Sequence, residues 1–221
     1  MTFSTGSSRK VENLLMNIYL HTISDMVGRK GLKSILAYVH LEKYYDRVPP
    51  ENNEMDIPMT ELIYLYHSLF DLYAYQDAQH VLLSVGQNVM KYAIEKYLYE
   101  GKTIQLSRHI GSESEKIRLG LEKFVEESET HWPTPHEKPH TELQEFDTYF
   151  HIIEHDCFFS ADITSDTPVC FVYVGELEYL VTWCTGYPHM VEEIECRAMG
   201  HPADVFRVWK HRDEKMTGYE L

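Results

Sequence analysis

Apolar positions spaced by three and four residues run through much of the first 130 positions and predict helices there. From Ser8 to Met26, Val11, Leu14, Leu15, Ile18, Tyr19, Thr22, Ile23 and Met26 keep this spacing, and Gly28 closes the expected helix. A short second helix is expected over Gly31–His40, with Pro49 and Pro50 stopping any continuation, and PPENNEMDIP then reads as a polar loop. Pro58 and Thr60 open a third helix with Leu62, Leu65, Leu69 and Leu72 on one face. A fourth, from about Asp77 to Tyr97, carries Val81, Val85, Val89, Ala93 and Tyr97 at a four-residue repeat. The acidic start Ser112-Glu113-Ser114-Glu115 leads into a fifth through Ile117, Leu119, Leu121, Phe124 and Val125.

The pattern changes after the segment HWPTPHEKPH, residues 131 to 140, where prolines and histidines cluster in a breaker-rich linker. Residues 142 to 154 have β character through Phe146, Tyr149, Phe150, Ile152 and Ile153. Pro168 begins a further helix that ends at Gly186. Residues 190 to 208 then read as two short strands joined by a tight turn at Gly200-His201-Pro202. The organisation expected is a helical part over 1–130, the linker, and an α/β part over 141–211, together forming one integrated domain.

Composition narrows the function classes. At 221 residues, 43% of them hydrophobic, the chain can bury a full core. A formal net charge of −15 argues against nucleic acid or an anionic membrane as the main partner, since both need clustered Lys and Arg. Apolar runs fall short of a membrane span, and the N-terminus lacks the pattern of a signal peptide, so a cytoplasmic chain with reduced thiols is expected. No phosphate loop, nucleophile elbow or dinucleotide fingerprint is present, which leaves little sign of catalysis.

The 190–208 hairpin holds the candidate chemistry. Glu193, Cys196 and Asp204 sit within one small volume if it closes, and Cys170 at a helix start could complete a set of four zinc-type ligands. Pleat geometry opposes this, because Glu193 and Cys196 differ by an odd number and face opposite sides of a regular strand, so a bulge or the strand end must re-aim one of them. The alternative is two buried thiols with two surface carboxylates. His151, His155 and Cys157 span too far along a strand to chelate one ion, and they read, like His131, His136 and His140, as solvated or hydrogen-bonded. The tyrosines of the N-terminal helices read as core and interface residues.

The run from Glu193 through Cys196, Ala198, Gly200 and Asp204 to Phe206 resembles the C-terminal signature of the 4-vinyl reductase domain family, E-x-x-C-x-A-x-G-x-x-x-C-x-F. The resemblance extends through Pro168-Val169-Cys170 and Gly175, and more loosely through GLKSILAYVHLEKYYDRVPP. It implies an α/β (α+β) fold of helices packed on an antiparallel sheet, shared with small subunits of the TRAPP tethering complex and with haem-based nitric-oxide sensors. It further implies zinc held at Cys170, Glu193 and Cys196, with Asp204 standing where the family has a fourth ligand cysteine. The expected activity is non-catalytic binding of a hydrophobic or aromatic ligand, tetrapyrroles included, by a homodimer. Phe150, Phe171, Tyr173, Tyr179 and Trp183 are the expected lining of the pocket. The alternatives are a reductase or accessory protein acting on a vinyl group in (bacterio)chlorophyll biosynthesis, and a protein–protein scaffold of the TRAPP type.

Overall fold

The computed structural model describes residues 9–98, 111–131, 139–161 and 163–212. The chain forms two compact units, Met1–Val89 and Met90–Leu221. In the first, strand β1 (Lys10–Val11) pairs antiparallel with β2 (Ile57–Pro58), and helix α1 (Asn13–Tyr38) is broken at Gly28, whose φ is 75° and ψ 160°. The expected end of one helix at Gly28 and start of another near Gly31 is therefore an internal break. Helices α2 (Met59–Leu72) and α3 (Tyr75–Ala93) follow, and α3 passes into a single wider turn at Ile94–Leu98. Leu14, Met16, Leu20, Ile23, Leu62, Leu65 and Leu69 are buried in this unit, as their three- and four-residue spacing requires.

The polar loop after Pro50 has a structural task. Asn52 and Glu54 offer their carbonyls to the N–H groups of Leu14 and Asn13 at 3.0 and 2.9 Å, satisfying donors that the first turn of α1 leaves unpaired. Within α1, the Asn17 side-chain amide donates to the Pro49 carbonyl at 2.7 Å.

In the second unit, helix α4 (Glu113–His131) starts from a capping box. The Ser112 N–H donates to Glu115 Oε2 at 2.7 Å, and the Glu115 N–H reaches Ser112 Oγ at 3.3 Å. The β character expected over 142–154 resolves into two strands, β3 (Thr141–Glu145) and β4 (Tyr149–Glu154). Helix α5 (Phe171–Thr185) ends at Gly186 as expected, and β5 (His189–Glu195) and β6 (Asp204–Arg212) complete an antiparallel sheet of order β3-β4-β6-β5. Helices α4 and α5 pack on each other, α4 against β3 and β6 and α5 against β5, so α4 belongs with the C-terminal sheet rather than with the helices before it. The second unit thus begins well before the linker.

Alternation along the strands sorts the sheet. Phe150, Ile152, Phe206 and Val208 are buried, with Phe150 opposite Val208 and Ile152 opposite Phe206. Tyr149, His151, Arg207 and Trp209 occupy the other face, with the Tyr149 and His151 rings stacked at 4.8 Å and Arg207 lying over the Tyr149 ring at 4.9 Å. His151 is thereby a ring-stacked residue, while His155 sits 3.0 Å from Glu142 and His140 Nδ1 lies 2.8 Å from Thr141 Oγ1. The His131 side chain and all of His136 lie outside the described residues.

Helices α4 and α5 meet closely at Gly120. A Cβ there would sit 2.6 Å from Cys184 Sγ, which gives Cys184 a packing role. Gly120→Ala should therefore destabilise the protein by about 1–3 kcal/mol, read as a lower denaturation midpoint. Adding Cys184→Ala should restore part of that loss, and additive effects would show that the two side chains do not meet.

Candidate metal centre and aromatic pocket

The strands β5 and β6 are joined by residues 196–203, a longer connection than the tight turn expected. It opens with a short 3-10 turn, Arg197–Met199, and ends that turn on Gly200 in the left-handed region at φ 92°. A Cβ at Gly200 would touch nothing within 4 Å, so the demand for glycine there comes from the backbone. Ala198, only 2% exposed, gives its carbonyl to the Ser165 N–H at 2.8 Å.

The pairing of β5 with β6 removes the pleat objection. Glu193 is opposite Phe206 and Glu195 opposite Val205, so Ile194 is an extra residue and forms a bulge. With the phase shifted by one, Glu193 and Cys196 converge. Ligand atoms of Cys170, Glu193, Cys196 and Asp204 all lie within 4.8 Å of one another. Cys170, Cys196 and Asp204 are fully buried and Glu193 is half-buried, so Asp204 is not the surface carboxylate of the alternative reading.

The hydrogen bonds of the cluster are specific. The Cys170 N–H donates to Glu193 Oε2 at 2.8 Å, while Glu193 Oε1 is buried with no hydrogen-bond partner. Asp204 accepts on both oxygens, from the Arg197 N–H and from the Ser160 hydroxyl, each at 2.7 Å. Cys157 Sγ lies 3.6 Å from Cys170 Sγ. The sequence reading did not place Cys157, Ser160 or Arg197 here, because no periodic spacing links the irregular segment after β4 to the hairpin.

Electrostatics favour a cation. Burial pushes the Cys170 thiol well above its ordinary pKa, and the neighbouring thiols of Cys157 and Cys196 and the Glu193 carboxylate add to the rise. Burial also raises Glu193, against the opposing effect of hydrogen bonds from Cys196 and Cys170. Two thiols and two carboxylates sharing one buried volume repel once ionised, and a divalent ion reverses that repulsion. The donor set, its compactness and the unpartnered Glu193 oxygen all fit zinc.

The five aromatic residues expected to line a pocket divide between settings. Phe150 and Tyr173 are buried, and the Tyr173 ring stacks on Phe206 at 4.4 Å and meets Phe124 edge-on at 5.3 Å. Phe171 begins α5 and is buried. Tyr179 and Trp183 are half-buried on another side of α5, where Glu176 precedes them at helical spacing. Protein packed around the Glu176 carboxyl pushes its pKa up to about 8. In the first unit, a groove of about 800 Å³ opens at the Gly28 break, lined by Leu20, Arg29, Leu32, Leu36, Tyr44 and Tyr45 among others. Only the isolated Gly28 hinted at it from sequence.

With this geometry in place the comparisons are decisive for one part of the chain. Residues 150–210 match the 4-vinyl reductase domain. The matched segment takes in every candidate ligand and agrees with the motif resemblance. No curated protein matches the chain. Among solved structures, the phenol-responsive sensory domain of the transcription activator PoxR is similar at 14% identity and a TM-score of 0.52, over 72% of this chain and 77% of that one. A structure from work on heme distortion in the H-NOX family matches at 14% identity and a TM-score of 0.55, over 95% and 99%. An H-NOX protein from K. algicida matches at 10% identity and a TM-score of 0.53, over 92% and 98%. These likenesses show the fold: helices on an antiparallel sheet, as expected. Among the described residues, no helix is long and apolar enough to cross a membrane.

Proposed function

We propose that this protein is a non-catalytic receptor for a small hydrophobic or aromatic molecule, with a structural zinc held beside the β5–β6 hairpin. The observation that carries the ligand-binding reading is the architecture shared with the phenol-responsive domain of PoxR. Phenols and tetrapyrroles are the ligand classes to test, since PoxR's domain is described with phenol and the H-NOX structure comes from work on heme distortion. Cys170, Glu193, Cys196 and Asp204 are the proposed metal site.

Zinc would supply positive charge that holds α5 to the hairpin, because its ligands come from the start of α5, from β5 with its following turn, and from β6. Binding displaces protons from the raised Cys170 and Glu193 groups, so affinity should rise with pH. Native mass spectrometry with elemental analysis should find one zinc per chain, lost in Cys196→Ser. Calorimetry in buffers of different ionisation enthalpy should show proton release on binding. Metal-free protein of full stability would end the zinc reading.

For the ligand, the proposed contact surface is Tyr179 and Trp183 with the Glu176 carboxyl, backed by Phe150, Phe171 and Tyr173. A carboxyl with a pKa of about 8 is largely protonated at neutral pH and can donate a hydrogen bond to a phenol oxygen. Titration with phenol, followed by thermal shift, should give binding that weakens tenfold or more in Trp183→Ala. Unchanged affinity in that variant would move the site elsewhere, the Gly28 groove being the next place to test.

Homodimerisation through the N-terminal helices belongs to the same proposal. Met26, Tyr38 and Leu72 are 48%, 52% and 42% exposed there, more apolar surface than a solvent-facing helix needs. Sedimentation should show a dimer that dissociates in Tyr38→Glu/Leu72→Glu; a monomeric parent chain would refute it.

A further inference from the structure

We infer that Cys157 is the third thiolate ligand of the metal centre and that Asp204 holds the ligand-bearing segments in place instead of binding the ion. The inference rests on the reading of the cluster as a metal centre and concerns which residues compose it. Four residues were set by mutual distance, but a fifth donor stands at their edge. Cys157 is 4% exposed, and its sulfur is 3.6 Å from that of Cys170. Two sulfurs on one tetrahedral zinc, each about 2.3 Å from the metal, lie about 3.8 Å apart. The two thiols already have nearly the spacing that a shared zinc demands.

Asp204 is engaged differently. Oδ1 accepts the Arg197 N–H and Oδ2 accepts the Ser160 hydroxyl, both at 2.7 Å, the short distance of charge-assisted bonds. The same Ser160 hydroxyl lies 3.2 Å from the Cys157 carbonyl oxygen, and Arg197 Nη1 reaches that carbonyl at 3.4 Å. Asp204 thus ties the turn that follows Cys196 to the segment that carries Cys157. Moving it onto a metal would loosen the contacts that place Cys157 and Cys196.

Glu193 shows the opposite arrangement. One oxygen is held by the Cys170 N–H, and the other is buried without a partner, which is how a carboxylate awaiting a cation is placed. The resulting set is Cys157, Cys170, Cys196 and Glu193, three soft ligands and one hard one, a better match to zinc than two of each.

X-ray absorption at the zinc edge, on the full chain loaded with one equivalent of zinc, reads the ligand set directly. Three sulfurs at about 2.3 Å and one oxygen are expected; two sulfurs and two oxygens would overturn the inference. Cys157→Ser should lower the sulfur count by one, whereas Asp204→Asn should leave the sulfur and oxygen counts as they are. A loss of oxygen in Asp204→Asn would return Asp204 to the ion and overturn the inference while leaving the metal centre intact. A chain that takes up no zinc would instead remove the metal-centre reading on which this one stands.

Discussion

The candidate centre depends on one extra residue in β5. In a regular strand Glu193 and Cys196 face opposite sides of the sheet, and no arrangement of the neighbouring helix could bring both to one point. The bulge at Ile194 shifts the phase of the strand, so that the carboxylate and the thiol end on the same side. Its cost is one irregular position in an otherwise continuous β5–β6 ladder. The ladder tolerates it because Val191 to Glu193 and Val205 to Val208 keep their pairing around it.

What the bulge assembles is electrostatically expensive. Cys170, Cys196 and Asp204 have essentially no exposed surface, and burial raises the pKa of Cys170 and Glu193 together. A hydrophobic interior of this kind rejects a group of anions unless hydrogen bonds and a cation compensate them. Hydrogen bonds do so for Asp204, which is satisfied on both oxygens, and only in part for Glu193. The contrast between the two carboxylates separates a structural anchor from a ligand more sharply than their shared proximity suggests.

The rest of the second unit holds these segments still. Stacking of Tyr173 on Phe206 joins the first turn of α5 to β6 two residues beyond Asp204. Close packing of Gly120 against Cys184 sets α4 against the far end of the same helix. Buried Glu154, which accepts the Thr141 hydroxyl at 2.7 Å, pairs across the sheet with Asp204 and links β3 and β4 to the same region. A helix start, a strand end and a turn are thereby fixed around a small polar space, with aromatic packing beside it.

Much of this was legible in the sequence, and the rest was not for physical reasons. Three- and four-residue periodicity placed the helices, Gly28 and Gly186 marked a break and an end, and the run from Glu193 to Phe206 carried the resemblance that the domain match upholds. These are local properties, because helix faces and left-handed glycines are decided by a residue's own neighbours in the chain. The division of β3 from β4, the membership of α4 in the second unit and the bulge at Ile194 were decided by pairing between distant strands. Cys157 is the clearest case. Nothing in its surroundings along the chain marks it, and only the fold, through Ser160, Asp204 and Arg197, brings its sulfur to Cys170. Sequence alone determined which residue types were available for the centre. Tertiary structure decided which of them meet, since a contact between segments far apart in the chain follows from packing and has no period to be read.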